Sequence, residues 1–234
     1  MTENEARDEI CRVGRSLFER GLVHATAGNI SLRLDDGFLI TPTDACLGRL
    51  DPARLARLDA DLRQTAGDRA SKTIALHARI HAVSRAFDPL TRCVIHTHAT
   101  HCVALTLRPA SADAATPDRS PDAPMPELLP ALTPYFVMKV GHVPLIAYQR
   151  PGSAQSVEAV AAAIEAYGRR GTPIRAVMLE RLGPQVWHES AAAAMATLEE
   201  LEETARLHLL TGGEVTPLSP ERIDELRLSF GARW

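Results

Sequence analysis

Gly28-Asn29-Ile30-Ser31-Leu32-Arg33-Leu34-Asp35-Asp36-Gly37-Phe38-Leu39-Ile40-Thr41 is the stretch on which the fold turns. Ile30, Leu32 and Leu34 alternate with polar neighbours, Asp36-Gly37 supplies a tight turn, and Phe38-Leu39-Ile40 returns, so residues 29–41 are expected to form a β-hairpin. Upstream, Ala6, Ile10, Val13 and Leu17 recur at helical spacing and predict an amphipathic helix from Glu5 to Arg20, closed by Gly21. Downstream, Asp51-Pro52 opens a short helical turn and the polar stretch around Gly67-Asp68 reads as a loop. A second helix is expected from Thr73 to Arg85, with Ile74, His77, Ile80 and His81 sharing one face.

Cys93-Val94-Ile95-His96-Thr97-His98 is a short β-branched run, expected as a strand leading into the apolar segment Cys102 to Leu107. Six prolines between Pro109 and Pro130 remove backbone donors repeatedly, so 108–130 reads as an irregular excursion. Val143 to Ala147 is strand-like, and Ser153 can cap a helix carrying Val157, Val160, Ala161 and Ile164. Ile174 to Leu179 and Gln185 to Trp187 flank Arg181-Leu182-Gly183-Pro184 as a hairpin-like pair. A long helix follows from Ala191 to Leu210, ended by Gly212-Gly213, and Ser219-Pro220 starts a last one over 221–229. Strands mixed with helices predict an α/β or α+β layered fold, with 1–234 forming a single domain.

Composition narrows the function classes. The 234 residues are 45% hydrophobic, enough for a full core, and 26 basic against 29 acidic side chains leave a net charge of −3. No basic field points to nucleic acid or an anionic membrane. Cys11, Cys46, Cys93 and Cys102 include no C-x-x-C pair, which argues against a zinc ribbon or disulfide framework and for a reducing, cytoplasmic setting. The polar start MTENEARDEI has no signal core, and no apolar run approaches the roughly 20 residues of a spanning helix.

Three motifs carry possible chemistry. On a strand, alternate side chains share a face, so His96 and His98 can grip one cation; the competing reading is a polar strand end with a histidine bonded to backbone. Gly28-Asn29 and Thr43-Asp44 sit in loops of small, hydroxyl and amide residues at opposite ends of the hairpin, suited to a phosphate or to ordinary turns. Ser71-Lys72, before the second helix, adds a hydroxyl, a cation and a helix start, or else a simple N-cap with a solvent-facing lysine.

Taken in order, G-N-I-S, then T-P-T, then Ser-Lys before a helix, then a strand ending H-T-H, the sequence resembles the class II aldolase/adducin family. The segments GNISLRLDDG, LGRLDPARL and LTPYFVMKVGHVPL, with Ser71-Lys72, are most similar to its 3-oxo-tetronate 4-phosphate decarboxylase branch. The resemblance implies a central, mostly antiparallel sheet flanked by helices, a homotetramer, and a divalent metal, usually zinc. It implies that Gly28, Asn29, Thr43, Asp44, Ser71 and Lys72 hold the substrate phosphate, and that His96 and His98 are metal ligands.

The sequence departs from the family pattern at three positions. Thr73 stands where this branch has a carboxylate that binds metal or moves a proton. Leu182, in Arg181-Leu182-Gly183-Pro184, stands where a third histidine is usual. Asp44 stands where a small or uncharged residue is usual. Glu180 shares a face with Leu182 on an extended strand but is displaced by about 6.5–7 Å, and His101 is another nearby donor. Decarboxylation of a 3-oxo acid needs no base to remove a proton from carbon, so the loss at Thr73 harms it less than it harms an aldol reaction. The resemblance thus implies a metal-dependent lyase converting a phosphorylated 3-oxo sugar acid to dihydroxyacetone phosphate and carbon dioxide. Lys72 and the position of Thr73 mark the catalytic centre, and Tyr135 is either a proton donor or a packing residue. The alternatives are a silent, adducin-like member with an incomplete metal site and a sugar-phosphate aldolase.

Overall fold

The computed structural model describes residues 1–108 and 125–234. Most of the proline-rich excursion at 108–130 lies outside the described residues. In chain order the elements are α1 (Glu3–Glu19), β1 (Asn29–Leu34), β2 (Gly37–Ile40), β3 (Ala56–Asp59), β4 (Gln64–Ala66), α2 (Ile74–Ser84), β5 (Cys93–His96) and α3 (Thr100–Thr106). They continue with β6 (Leu145–Ile146), α4 (Ala154–Arg169), β7 (Ala176–Leu179), β8 (Gly183–His188), α5 (Ala191–Leu210) and α6 (Pro220–Phe230). The hairpin, the helices and the 174–188 pair fall where the periodicity predicts. The strand expected over 93–98 stops at His96. β3 and β4 are additions to the loop expected around Gly67-Asp68. Phe136–Val140 forms a π-helical turn that the sequence periodicity does not announce.

The strands make one eight-stranded sheet in the order β4-β3-β2-β1-β5-β8-β7-β6. Every neighbouring pair is antiparallel except β6 and β7. Its centre is dry on both faces. Cys93 and Ile95 of β5, with Ala176 and Met178 of β7, join Ile10 and Leu17 of α1 and Leu198 and Leu201 of α5 in one core. The alternate residues Val94, Val177 and Trp187 face the opposite way, into a second core with Leu76 and Ile80 of α2 and Val160 and Ile164 of α4. This explains why β5 and β7 read as apolar runs while β1 alternates. The sheet ends are short: β4 is exposed at all three residues, its register against β3 slips at Arg57/Leu58, and β6 has two residues.

The helix ends carry the capping chemistry the sequence offers. Thr2 and Glu5 form a reciprocal box at the start of α1, and Ser153 and Ser190 accept backbone N–H bonds from Ser156 and Ala193. No helix among the described residues is long and apolar enough to cross a membrane.

Candidate functional site

One end of β1 and β5 gathers the motif residues. Asn29 and His96 are opposite each other in register, and Gln185 of β8 lies opposite His96 on the other side. Thr41 ties the next loop to this end. Its backbone N–H donates to the Ile30 carbonyl at 3.0 Å, its hydroxyl accepts from the Ile30 N–H at 3.2 Å, and its carbonyl accepts from the Ser71 N–H at 3.2 Å. Gly28 is the hinge, with φ of +82°; a Cβ there would stand 2.8 Å from the His96 carbonyl oxygen. Only glycine fits that approach without strain.

The residues expected to hold an anion do not all have free backbone donors. The Thr43 N–H donates to the Arg69 carbonyl at 2.9 Å, and the Ser71 N–H is taken by Thr41, so these two residues offer hydroxyls rather than amides. Thr43 and Asp44 border a cleft of about 250 Å³ that also includes Arg49 and Arg54. Asp44 is exposed and adopts a left-handed backbone, φ +57°. The hydroxyls of Ser71 and Thr73 are 3.0 Å apart, and Thr73 is the N-cap residue of α2, without a side-chain cap bond. Lys72 is exposed and makes no ion pair among the described residues, which leaves its ammonium available. The Asn29 carboxamide oxygen is buried without a hydrogen-bond partner, a costly arrangement that a ligand hydroxyl or a water would relieve.

His96 keeps one ring nitrogen free. Its Nδ1–H donates to the Pro184 carbonyl at 2.9 Å, leaving Nε2 with a free lone pair. Burial and then the neighbouring His98 push its pKa down to about 4, against a smaller upward pull from the Pro184 carbonyl, so the ring is neutral at pH 7. His98 lies beyond the end of β5, so strand alternation is not what pairs the two rings, contrary to the sequence expectation. A backbone turn brings them together instead, with centroids 5.1 Å apart at 66°. Burial, then His24, lowers the pKa of His98 as well.

A buried relay lies on the α2 side of this end. The Gln185 amide nitrogen sits 3.2 Å from His77 Nε2, His77 Nδ1 is 2.8 Å from Ser31 Oγ, and Ser31 Oγ is 3.2 Å from His81 Nε2. With Gln185 donating, each bond assigns the next: His77 Nδ1–H donates to Ser31, and Ser31 donates to His81. Burial is the main cause that drives the His77 pKa well below its ordinary value and that of His81 to about 3. Helical spacing places both histidines on one face of α2 but does not reveal that they bridge β1 and β8; Ser31, two residues after Asn29, was the available signal.

The remaining candidates go elsewhere. The Glu180 carboxylate accepts the Tyr148 N–H at 2.7 Å. His101 Nδ1 donates to Glu202 at 2.8 Å. Tyr135 is 61% exposed, so it is not a packing residue within this chain. Gly183 presses on the Thr97-His98 backbone, where a Cβ would stand 2.6 Å from the Thr97 carbonyl oxygen, while Leu182 packs against the second core. No group of three or more His, Cys, Asp or Glu among the described residues is already arranged around one point. The donor chemistry nonetheless fits a divalent cation at two corners. A shared tetrahedral zinc with bonds of about 2.0–2.1 Å would set two imidazole centroids roughly 5 Å apart, close to the spacing of His96 and His98.

Comparison with known proteins identifies the fold and family. The family model "Class II Aldolase and Adducin N-terminal domain" matches residues 8–209. A Cupriavidus necator protein named 3-oxo-tetronate 4-phosphate decarboxylase is 48% identical over 100% of this chain and 99% of its own length. The Escherichia coli protein of the same name is 36% identical over 96% of each chain. Among solved structures, YgbL from Escherichia coli superposes with a TM-score of 0.80 at 35% identity, covering 96% of this chain and 99% of its own. An L-fuculose 1-phosphate aldolase shares the fold at a TM-score of 0.75 and 22% identity, over 97% and 96% of the two chains. The mixed sheet and its flanking helices are thus those of a known lineage, and the chain belongs to the class II aldolase and adducin family.

Proposed function

We propose that this protein is a carbon–carbon lyase that decarboxylates 3-oxo-tetronate 4-phosphate, or a close phosphorylated 3-oxo sugar acid, to dihydroxyacetone phosphate and carbon dioxide. The observation that carries the reading is the neutral His96 with its free Nε2, set opposite Asn29 and its unpartnered oxygen, at the end of the sheet to which Thr41 ties the Ser71 turn. The names of full-length relatives at 48% and 36% identity support the same activity.

In this reading His96 and His98 hold a divalent cation, zinc by family analogy. Bound there, it supplies electrophilic stabilisation of the negative charge that develops on the 3-oxo oxygen. The chain's own groups do the rest. The Thr43 and Ser71 hydroxyls hold the phosphate, with the backbone at Gly28 allowing close approach and Asp44 at the rim. Asn29 bonds a substrate hydroxyl through its buried oxygen. Lys72 pairs with the phosphate or with the carboxylate before it departs. The bond between the carboxyl carbon and the next carbon breaks, its electron pair passes into an enediolate, and protonation of that carbon gives the product. Thr73 is no base: its hydroxyl is engaged with Ser71. A reaction that begins with loss of carbon dioxide tolerates this, whereas an aldol condensation does not.

Carbon dioxide release from 3-oxo-tetronate 4-phosphate, with zinc or manganese supplied, tests the proposal. His96→Ala is expected to lower kcat by about 10²–10³-fold, and Thr73→Ala to leave most of it. Absence of turnover in the unaltered protein, with the phosphate ester still bound, would favour the silent, adducin-like reading, which Leu182 and Thr73 recommend.

A further inference from the structure

β5 and β7 both run antiparallel to β8, so they start at the same end of the sheet, and His96 closes β5 at the other. The starting end carries a concentration of positive charge that the proposed reaction does not use. A cleft of about 250 Å³ lies there, and the charged residues that line it are Lys139, Arg175 and Arg233, with no acidic side chain among its lining, in a chain whose net charge is −3. Asp88 stands behind two of them: its Oδ2 accepts from Arg175 Nη2 at 3.1 Å and Nε at 3.3 Å, and from Arg233 Nη1 at 2.9 Å. One carboxylate oxygen therefore holds two guanidiniums side by side. Its single charge offsets one of the three positive ones and leaves two. Arg175 Nη1 and Arg233 Nε and Nη2 have no acceptor among the described residues, and Lys139 is exposed without an ion pair there.

The arginines are preset rather than loose. Side chains of Arg175 and Arg233 are 21% and 37% exposed, so like charges sit together partly out of water, an arrangement that a bound anion relieves. The walls of the cleft are the π-helical turn Phe136–Val140, a geometry that is rare and recurs at functional sites, and the end of α6. Gly141, with φ of +79°, lets the two walls meet: a Cβ there would stand 2.9 Å from the Arg233 carbonyl oxygen. Beyond Arg233, Trp234 stacks on His142 at a centroid distance of 4.4 Å and an angle of 25°, and meets Phe136 edge-on at 5.7 Å. Arg233 is thus held through its guanidinium by Asp88 and through its neighbour by two rings, which lowers the ordering cost of using it to bind.

We infer that this cleft is a second, non-catalytic binding site for a small phosphate-bearing anion, inorganic phosphate or a phosphate monoester, held by Lys139, Arg175 and Arg233. The charge of a phosphate monoester near pH 7, about −1.5 to −2, matches the two positive charges that Asp88 leaves over. Planar guanidiniums with unspent N–H groups suit tetrahedral phosphate oxygens, and the ammonium adds a flexible third contact. The volume falls below the roughly 300 Å³ at which pockets for drug-sized ligands begin, which restricts the ligand to a few carbons beyond the phosphate. The inference does not depend on the reaction proposed above.

The chain has two tryptophans, Trp187 buried in the second core and Trp234 beside Arg233, so tryptophan fluorescence reports on the cleft. Inorganic phosphate and glycerol 3-phosphate are titrated into the full chain at constant ionic strength set with chloride, and equilibrium dialysis of labelled phosphate measures binding directly. A saturable fluorescence change is expected, and the probe that binds more tightly tells free phosphate from an ester. Lys139→Ala, at an exposed position that leaves the fold intact, and Arg233→Ala should each weaken binding by about tenfold or more. The double variant Thr43→Ala/Ser71→Ala, which removes the phosphate contacts proposed for the catalytic centre, should keep the fluorescence response. A response lost in that double variant but unchanged in Lys139→Ala and Arg233→Ala would place the anion at the catalytic centre and overturn the inference. No saturable binding of either probe, or a response that added chloride reproduces, would overturn it as well.

Discussion

His81 is a buried base with one nitrogen bonded to Ser31 and the other, Nδ1, without a partner. Its surroundings are Phe38 at 5.5 Å, His77 on its own helix, and the positive charges of Arg33 and Arg85, which add to burial in lowering its pKa to about 3. Between pH 6.5 and about 3 the unfolded chain therefore binds a proton at this residue that the folded chain refuses, so stability falls as the pH drops below 6.5. His81→Phe removes this liability and the orphaned N–H together, and Ser31 keeps its bond to His77. Urea denaturation is expected to show a change under about 1 kcal/mol at pH 7.5, but a gain of about 1 kcal/mol at pH 5.5 relative to the unaltered protein. An equal effect at both pH values would refute the account. At this scale the sequence was partly readable. His96, His98, Asn29, Thr43 and Ser71 stand in motifs with spacing that means something. The partnership of His77 with Gln185 does not, because it depends on which strands become neighbours, a non-local fact.

α3 begins two residues after His98, and its orientation depends on a carboxylate from another helix. Glu202 of α5 accepts the N–H groups of His101 and Cys102 at 2.9 Å each, and the His101 ring at 2.8 Å. It thus supplies from outside the cap that Ala99 cannot. Glu202→Ala leaves these donors without their acceptor and is expected to cost about 2–3 kcal/mol in chemical denaturation and to reduce turnover through His98, with Glu202→Gln falling between. Retained stability together with retained activity would count against this capping role. The helices α1, α4 and α5 were legible because their apolar periods run for three turns or more. β3 and β4 were not: Ala56-Arg57-Leu58-Asp59 alternates for only four residues, and Gln64-Thr65-Ala66 has no buried side at all. Their pairing follows from β2, which recruits β3 by register rather than by composition.

Across the whole molecule, one carboxylate joins segments far apart in the chain. Asp88, in the connection between α2 and β5, accepts from Arg175 before β7 at 3.1 Å and from Arg233 beyond α6 at 2.9 Å. Burial acts to raise its pKa, but the hydrogen bonds and charges of the two arginines outweigh burial and hold it below the usual carboxylate value. Its contribution is present above the unfolded pKa of about 4 and is lost as the pH falls through the lower folded value. Asp88→Asn should accordingly lower the thermal midpoint at pH 7, with the deficit shrinking toward pH 3; a deficit independent of pH would show that the charge is not what matters. The margins of the sheet have a different consequence. An unpaired strand is a template for a neighbour's backbone, and a long flat one invites copies to polymerise. Here the outermost strands are three exposed residues with a slipped register and two residues in parallel, too brief and uneven to seed a growing ribbon, so the dry centre can be rich in valine and isoleucine without making the protein prone to fibrils.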